Sequence, residues 1–168
     1  MLADMRPSRI PPGPDQESVW DYPRPPALEP VAQRIRVVLA GVTIADSIRA
    51  LRVLETSHPP NYYLPPDDVD HERLHASSRR SFCEFKGVAH YWSVAAGDRV
   101  ELDVAWSYPE PSVGYAALAD HLAFYVAPMD ECRLGDELAT PQPGGFYGGW
   151  VTEAVVGPFK GVPGSMGW

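Results

Sequence analysis

Lys86 is the residue in this sequence best placed to do chemistry. It stands three positions after Cys83, and the run that follows carries Tyr91, Trp92, Trp106 and Tyr108. An ammonium set among indole rings loses part of its hydration, which makes the amine easier to deprotonate. It then suits the work of a base, or of an anchor for a ligand carboxylate or phosphate. The plainer reading is a lysine at a strand end whose stem covers a tryptophan while its charge reaches water. A thiol near an amine ionises more readily, so Cys83 is a candidate nucleophile, although small buried cysteines commonly only pack. In a regular strand Cys83 and Lys86 point to opposite faces, so a bulge at Gly87 or the preceding turn must bring them together. Glu55 places a carboxylate beside Arg52, able to pair with Lys86 or with an arginine. Tyr62 and Tyr63 precede a Pro65-Pro66 loop, where phenols commonly rim a pocket. The candidate catalytic residues are therefore Lys86, Cys83 and Glu55. The candidate ligand-binding residues are Arg52, Tyr62, Tyr63, Tyr91, Trp92, Trp106 and Tyr108.

Other constellations carry less. On a helix His71 and His75 would share a face at metal-ligand spacing, but no third ligand is recognisable, so no metal site is assigned. His90 reads as a hydrogen-bonded core histidine. Gly157-Pro158-Phe159-Lys160-Gly161 lacks the helix-opening Ser or Thr of a phosphate-binding loop.

Strands must hold these side chains. Val88–Val94 and Arg99–Trp106 are β-type runs on either side of Ala95-Ala96-Gly97. A three-residue hairpin loop ends on a left-handed residue, which Gly97 supplies without Cβ strain. That register sets Trp92 opposite Val100, His90 opposite Leu102, Val88 opposite Val104 and Lys86 opposite Trp106. The apolar face then carries these residues, and Tyr91, Ser93, Arg99, Glu101 and Asp103 take the other. A slip of one residue would exchange the two faces. Arg34–Leu39 and Val42–Ala45 form a second hairpin through Ala40-Gly41, and Ala50–Glu55 reads as a strand halted by His58-Pro59-Pro60. Asp67 or Asp68 can cap a short helix to about His75, and Tyr115–His121 suits one or two helical turns. Leu122–Val126 reads as a buried strand with Glu131–Leu134 returning antiparallel to it.

The chain has 168 residues, 45% of them apolar, which suits one domain with an adequate core. Nineteen prolines and fourteen glycines make it rich in short strands and loops. Residues 1–30 read as a proline-rich arm pinned to the body by Trp20 and Tyr22. Residues 31–139 form the β domain, and residues 140–168 a Gly/Pro-rich tail laid over its surface. The net charge of −8 argues against nucleic acid or an anionic membrane as partner. With no secretory leader and no membrane-spanning run, a cytoplasmic location is expected. Two cysteines with no C-x-x-C pair are read as free thiols.

Together these motifs resemble the bacterial DUF427 family. The resemblance rests on Arg52-Val53-Leu54-Glu55-Thr56, on His58-Pro59-Pro60, and on Tyr62-Tyr63 with Pro65. It continues through Cys83-x-x-Lys86-Gly87-x-Ala89-x-Tyr91-Trp92, Ala105-Trp106-x-Tyr108-Pro109 and Ala123-Phe124-Tyr125. It implies a mainly-β domain of the β-tent kind, two small antiparallel sheets leaning together, here with one or two short helices. Relatives with that fold often pin the sheets with a zinc on paired cysteines. Those pairs are absent from this chain, so neither zinc nor another cofactor is expected. A nucleotidyltransferase label is sometimes attached to the family, but Gly164-Ser165 has no helix after it to cradle a phosphate.

The expected function is binding of an unidentified small molecule in an aromatic cleft centred on Lys86. One alternative is a hydrolase or transferase using Cys83 or Lys86. Another is a dimerisation module, whose arms would wrap a second copy of the chain.

Overall fold

A computed structural model describes residues 6–168, and strands dominate it. The first five residues of the expected arm, Met1–Met5, lie outside the described residues. One four-stranded antiparallel sheet runs in the order β10 (Leu122–Phe124), β9 (Arg99–Ser107), β8 (Gly87–Ala96) and β7 (Leu74–Cys83). A second runs β12 (Glu137–Leu138), β11 (Glu131–Leu134), β3 (Ile35–Leu39) and β4 (Val42–Ser47). A three-stranded sheet orders β2 (Ala27–Pro30), β5 (Leu51–Leu54) and β6 (Asn61–Tyr63). It is stitched to the first sheet where Leu64 and Leu122 exchange both backbone hydrogen bonds at 2.8 Å. Two short pairings complete the set. β1 (Glu17–Ser18) lies parallel to β15 (Val155–Val156), and β13 (Thr140–Pro141) lies antiparallel to β14 (Trp150–Val151). The chain is thus mainly β with several small antiparallel sheets, and helix among the described residues is limited to 3₁₀ turns.

Alternation explains the packing. Ile35, Val37 and Leu39 are fully buried while Arg36 and Val38 between them are not, the two-residue period of a half-buried strand. They meet Ile44, Val94 and Phe124 in the main core. A second cluster, with Val53, Tyr63, Tyr91, Trp106 and Tyr108, fills the space between β5–β6 and β8–β9. Each such side chain contributes about 1.5–3 kcal/mol by burial. The third cluster joins Val19, Trp20 and Tyr22 to Leu54 and Val155.

The central hairpin departs from the expected register. Its loop has two residues, Gly97 and Asp98, so Ala96 faces Arg99 and Val94 faces Glu101. Gly97 takes φ +58°, the first central position where short hairpin loops accept glycine. The pairing then shifts, so that Trp92 faces Ala105 and Tyr91 faces Trp106. Asp103 sits at the shift with φ +54°, its N–H donating to Ser93 Oγ at 3.1 Å and its carboxylate accepting from the Ser77 hydroxyl. The two-residue loop sets Val100 and Leu102 outward, and the bulge exchanges the faces of β8 beyond it, while Val104 and Trp106 stay buried. Tyr91 and Ser93 turn inward, where their hydroxyls find partners within the protein. Val88, Val100 and Leu102 turn outward and are exposed, and His90 is only half-buried. Lys86 faces no strand residue, since it lies in the turn that joins β7 to β8.

Other elements differ as well. The short helix expected to His75 is replaced by 3₁₀ turns at Pro66–Asp68 and His71–Arg73, followed by the ten-residue strand β7. His71 and His75 therefore share no helical face. Glu131–Leu134 pairs with β3 and β12, not with Leu122–Phe124, because Cys132 and Leu134 complete the main core beside Val37 and Ile35. Within the proline-rich arm, Trp20 and Tyr22 are buried, and Ala27–Pro30 is a strand paired to β5. The tail is likewise partly interior. Trp150 is buried and donates its indole N–H to the Phe124 carbonyl at 3.0 Å.

Candidate functional site

The second cluster does not close completely. Between the β5–β6 pair and the β7–β8–β9 sheet it leaves a cleft of about 360 Å³, walled on its third side by Phe146, Tyr147 and Gly148. Strand periodicity selects what faces it. On β5 and just after it, Val53 and Glu55 point in while Arg52 points away; on β6, Asn61 and Tyr63 point in while Tyr62 points away. Tyr91 and Trp106, directly opposite one another on β8 and β9, contribute the aromatic floor with Tyr108.

The β7–β8 turn delivers the cation. Cys83 pairs with Gly87 to close the hairpin, and Gly87 at φ +109° lets the chain re-enter the strand beside the Glu110 carbonyl. The tight turn brings Lys86 back beside Cys83 in the lining of the cleft. Lys86 is 7% exposed, and its Nζ lies 5.8 Å from the centre of the Tyr108 ring. Burial pulls this ammonium toward deprotonation. The phenol of Tyr63, the thiol of Cys83 and the carboxylate of Glu55 oppose it and hold Lys86 above its ordinary range. The expectation of an amine made easier to deprotonate is thereby reversed.

The phenols around it stay neutral. Burial pushes Tyr63 and Tyr108 up, and the neighbouring Cys83 adds to the rise in both. Tyr63 accepts the Trp106 indole N–H at 3.2 Å, and Tyr91 shares a 2.9 Å hydrogen bond with Ser81. Glu55 is held at the rim by Arg24 at 3.2 Å, with His58 Nε2 at 3.6 Å. His58 is buried against the Tyr147 ring. Burial, then the charges of Lys160, Arg24 and Lys86, push its pKa down to about 3. Lys160 is the second lysine of the cleft, its Nζ 5.5 Å from the centre of the Tyr147 ring.

Of the ten residues expected from sequence, seven line this cleft: Glu55, Tyr63, Cys83, Lys86, Tyr91, Trp106 and Tyr108. Three do not. Arg52 turns to Glu17 and Glu29, at 2.8 Å from each, and so ties β1 and β2 to β5. Tyr62 packs against Trp150 in the main core, with ring centres 5.2 Å apart. Trp92 leans on that same core and donates its indole N–H to Ser107 at 3.0 Å. Sequence reasoning missed His58, Asn61, Tyr147 and Lys160. Only the strand period that selects Tyr63 could have pointed to Asn61, two residues earlier. Among the described residues no group of three His, Cys, Asp or Glu side chains is placed to hold a metal. No helix there is long and apolar enough to cross a membrane.

Residues 27–135, well over half of the chain, match a family model described as a domain of unknown function, DUF427. No curated protein matches the chain.

Proposed function

The chain belongs to the DUF427 family, and for its cleft we propose the binding of a small anionic ring compound, anchored by Lys86 among the aromatic walls. One observation carries this reading. Lys86 is a buried ammonium with no carboxylate at ion-pair distance among the described residues. A charge taken out of water needs a counter-charge or dense hydrogen bonding. Glu55, the carboxylate that attracts it, is already engaged by Arg24. A ligand carboxylate or phosphate would complete Lys86, and Lys160 adds positive potential in a chain whose net charge is −8. The cation's preference for its protonated form suits an anchor better than a base.

The test is native mass spectrometry of the purified chain and of Lys86→Met. Wild type should retain an acidic molecule, or take one up from a panel of ring carboxylates and phosphates, and the variant should not. Methionine keeps the apolar stem, so stability should move by no more than about 1 kcal/mol. A folded Lys86→Met protein that binds the same compound equally well would remove Lys86 from the reading.

A second reading, catalysis by Cys83, draws on the nearness of Cys83 to the Lys86 ammonium in the same cleft. An anion seated on Lys86 would bring an adjacent electrophilic carbon to the sulfur.

A further inference from the structure

Lys86 is not the only group in the cleft without a complement. Oδ1 of Asn61 is buried and has no hydrogen-bond partner. Its residue opens β6 with its backbone paired to Val53, so the strand holds the side chain toward the cavity that Val53 and Tyr63 also line. An acceptor left unpaired away from water is costly, and such an acceptor in a native cleft calls for a donor from outside the protein. The cavity, about 360 Å³, lies at the small end of the range of about 300–1,000 Å³ typical of small-molecule sites. Its floor of Trp106, Tyr63 and Tyr108 offers aromatic faces and edges for a flat ring.

We propose that the ligand is a planar ring acid bearing a hydroxyl or amino donor, its anion on Lys86 and its donor on Asn61 Oδ1. This rests on the anion-binding reading above and adds to it a second polar contact, which sets specificity. A ring with an anion alone would leave Asn61 unsatisfied. A ring with a donor alone would leave Lys86 unsatisfied. Discrimination against a molecule lacking the group that a buried partner awaits is the strong form of specificity.

Calorimetric titration of the full chain tests this with benzoate, phenyl phosphate, phenol, and the ortho-, meta- and para-hydroxy forms of both acids. The carboxylate and phosphate series run in parallel identify which anionic head Lys86 accepts. In the series that binds, at least one hydroxylated isomer should bind about tenfold more tightly than its parent acid, the worth of one buried hydrogen bond. Asn61→Ala should erase that gain, so that parent and hydroxylated acids bind the variant equally. Parent and hydroxylated acids binding wild type equally would overturn the role of Asn61 while leaving Lys86 as anchor. A hydroxyl gain that survives Asn61→Ala would overturn it too. Phenol binding as tightly as the hydroxylated acids, or no ring acid binding at all, would sink the anion-binding reading and this proposal together. The wild-type comparison needs no variant, so the proposal stays open to refutation even if Asn61→Ala folds poorly.

Discussion

Gln142 donates from its amide nitrogen to Nδ1 of His58 at 3.0 Å. The amide is oriented by its other contacts, because Oε1 accepts from the Gly149 N–H at 3.0 Å and Nε2 also donates to the Lys160 carbonyl at 2.9 Å. Nδ1 is therefore an acceptor, and the imidazole proton resides on Nε2, facing Glu55 at 3.6 Å. A histidine fixed in this way is neutral, and protonating Nδ1 would cost its hydrogen bond.

That arrangement predicts a pH dependence of stability. The folded pKa of His58, about 3, lies below the ordinary value of 6.5, so below that value the unfolded chain binds a proton that the folded one refuses. The stabilising contribution is complete above about pH 6.5 and is lost progressively as pH falls toward 3. Between about pH 6.5 and 5, above the range of ordinary carboxylates, the loss should reach about 1.5 kcal/mol. Denaturant melts across that window should show it, and His58→Asn, which keeps an acceptor for Gln142, should flatten it. An unchanged slope in that variant would place the proton uptake elsewhere.

Gly148 is where the third wall meets the floor. A Cβ at this position would lie 2.1 Å from the Trp106 ring, and one at Gly149 would lie 2.5 Å from Gln142 Oε1. Neither clash can be relieved by a flexible side-chain end, since the Trp106 ring is fixed by its bond to Tyr63 and the Gln142 amide by its contacts with His58 and Lys160. Gly148→Ala should therefore destabilise by about 2 kcal/mol, as overpacking does. For a chain of this size that is a fall in Tm of roughly 4–8 °C. A Tm within one degree of wild type would mean that this wall is loose.

Sequence patterning gave the fold class, the hairpin of β3 and β4, and most of the cleft's aromatics, because these residues alternate cleanly or cluster near one turn. It failed at β7. Leu74–Cys83 reads LHASSRRSFC, an edge strand with little apolar alternation to betray it. It failed again at the register of β8 and β9, because Tyr91 and Ser93 look polar until Ser81 and Asp103 satisfy them. The misplaced residues share one cause. Arg52, Tyr62 and Trp92 each adjoin a true cleft residue, and period-two strands send neighbours to opposite faces. His58, Tyr147 and Lys160 reach the cleft from loops far apart in the chain, for which no local pattern exists.

Arg52 offers a test of that assignment. It binds Glu17 and Glu29 while about a fifth exposed, so Arg52→Met removes charge-assisted bonds that fasten β1 and β2 to β5. Both carboxylates are nearly half exposed and can return to water, which limits the cost to about 1–2 kcal/mol. Affinity for whatever ring acid binds the cleft should be unchanged. A selective loss of affinity, with stability intact, would return Arg52 to the binding site.

The two thiols should report on Lys86 by their reactivity. Cys132 is buried in the main core, where burial pushes its pKa up to about 12, and it should resist alkylation until the chain unfolds. Cys83 is half-buried in the cleft with the Lys86 ammonium beside it. Alkylation there is displacement of iodide by the Cys83 sulfur, with either iodoacetate or neutral iodoacetamide as the carbon donor. Only the former carries a carboxylate for Lys86 to hold while its methylene meets the sulfur. The ratio of the two rates, followed by peptide mass mapping, cancels the intrinsic reactivity of the thiol and isolates attraction for the anion. Lys86→Met should lower that ratio about tenfold, the worth of one partly desolvated charge contact. If the ratio is the same in both proteins, Lys86 does not draw anions to this cleft. If it falls as expected, the same ammonium that anchors a ligand also delivers an electrophile to Cys83, which the catalytic reading requires.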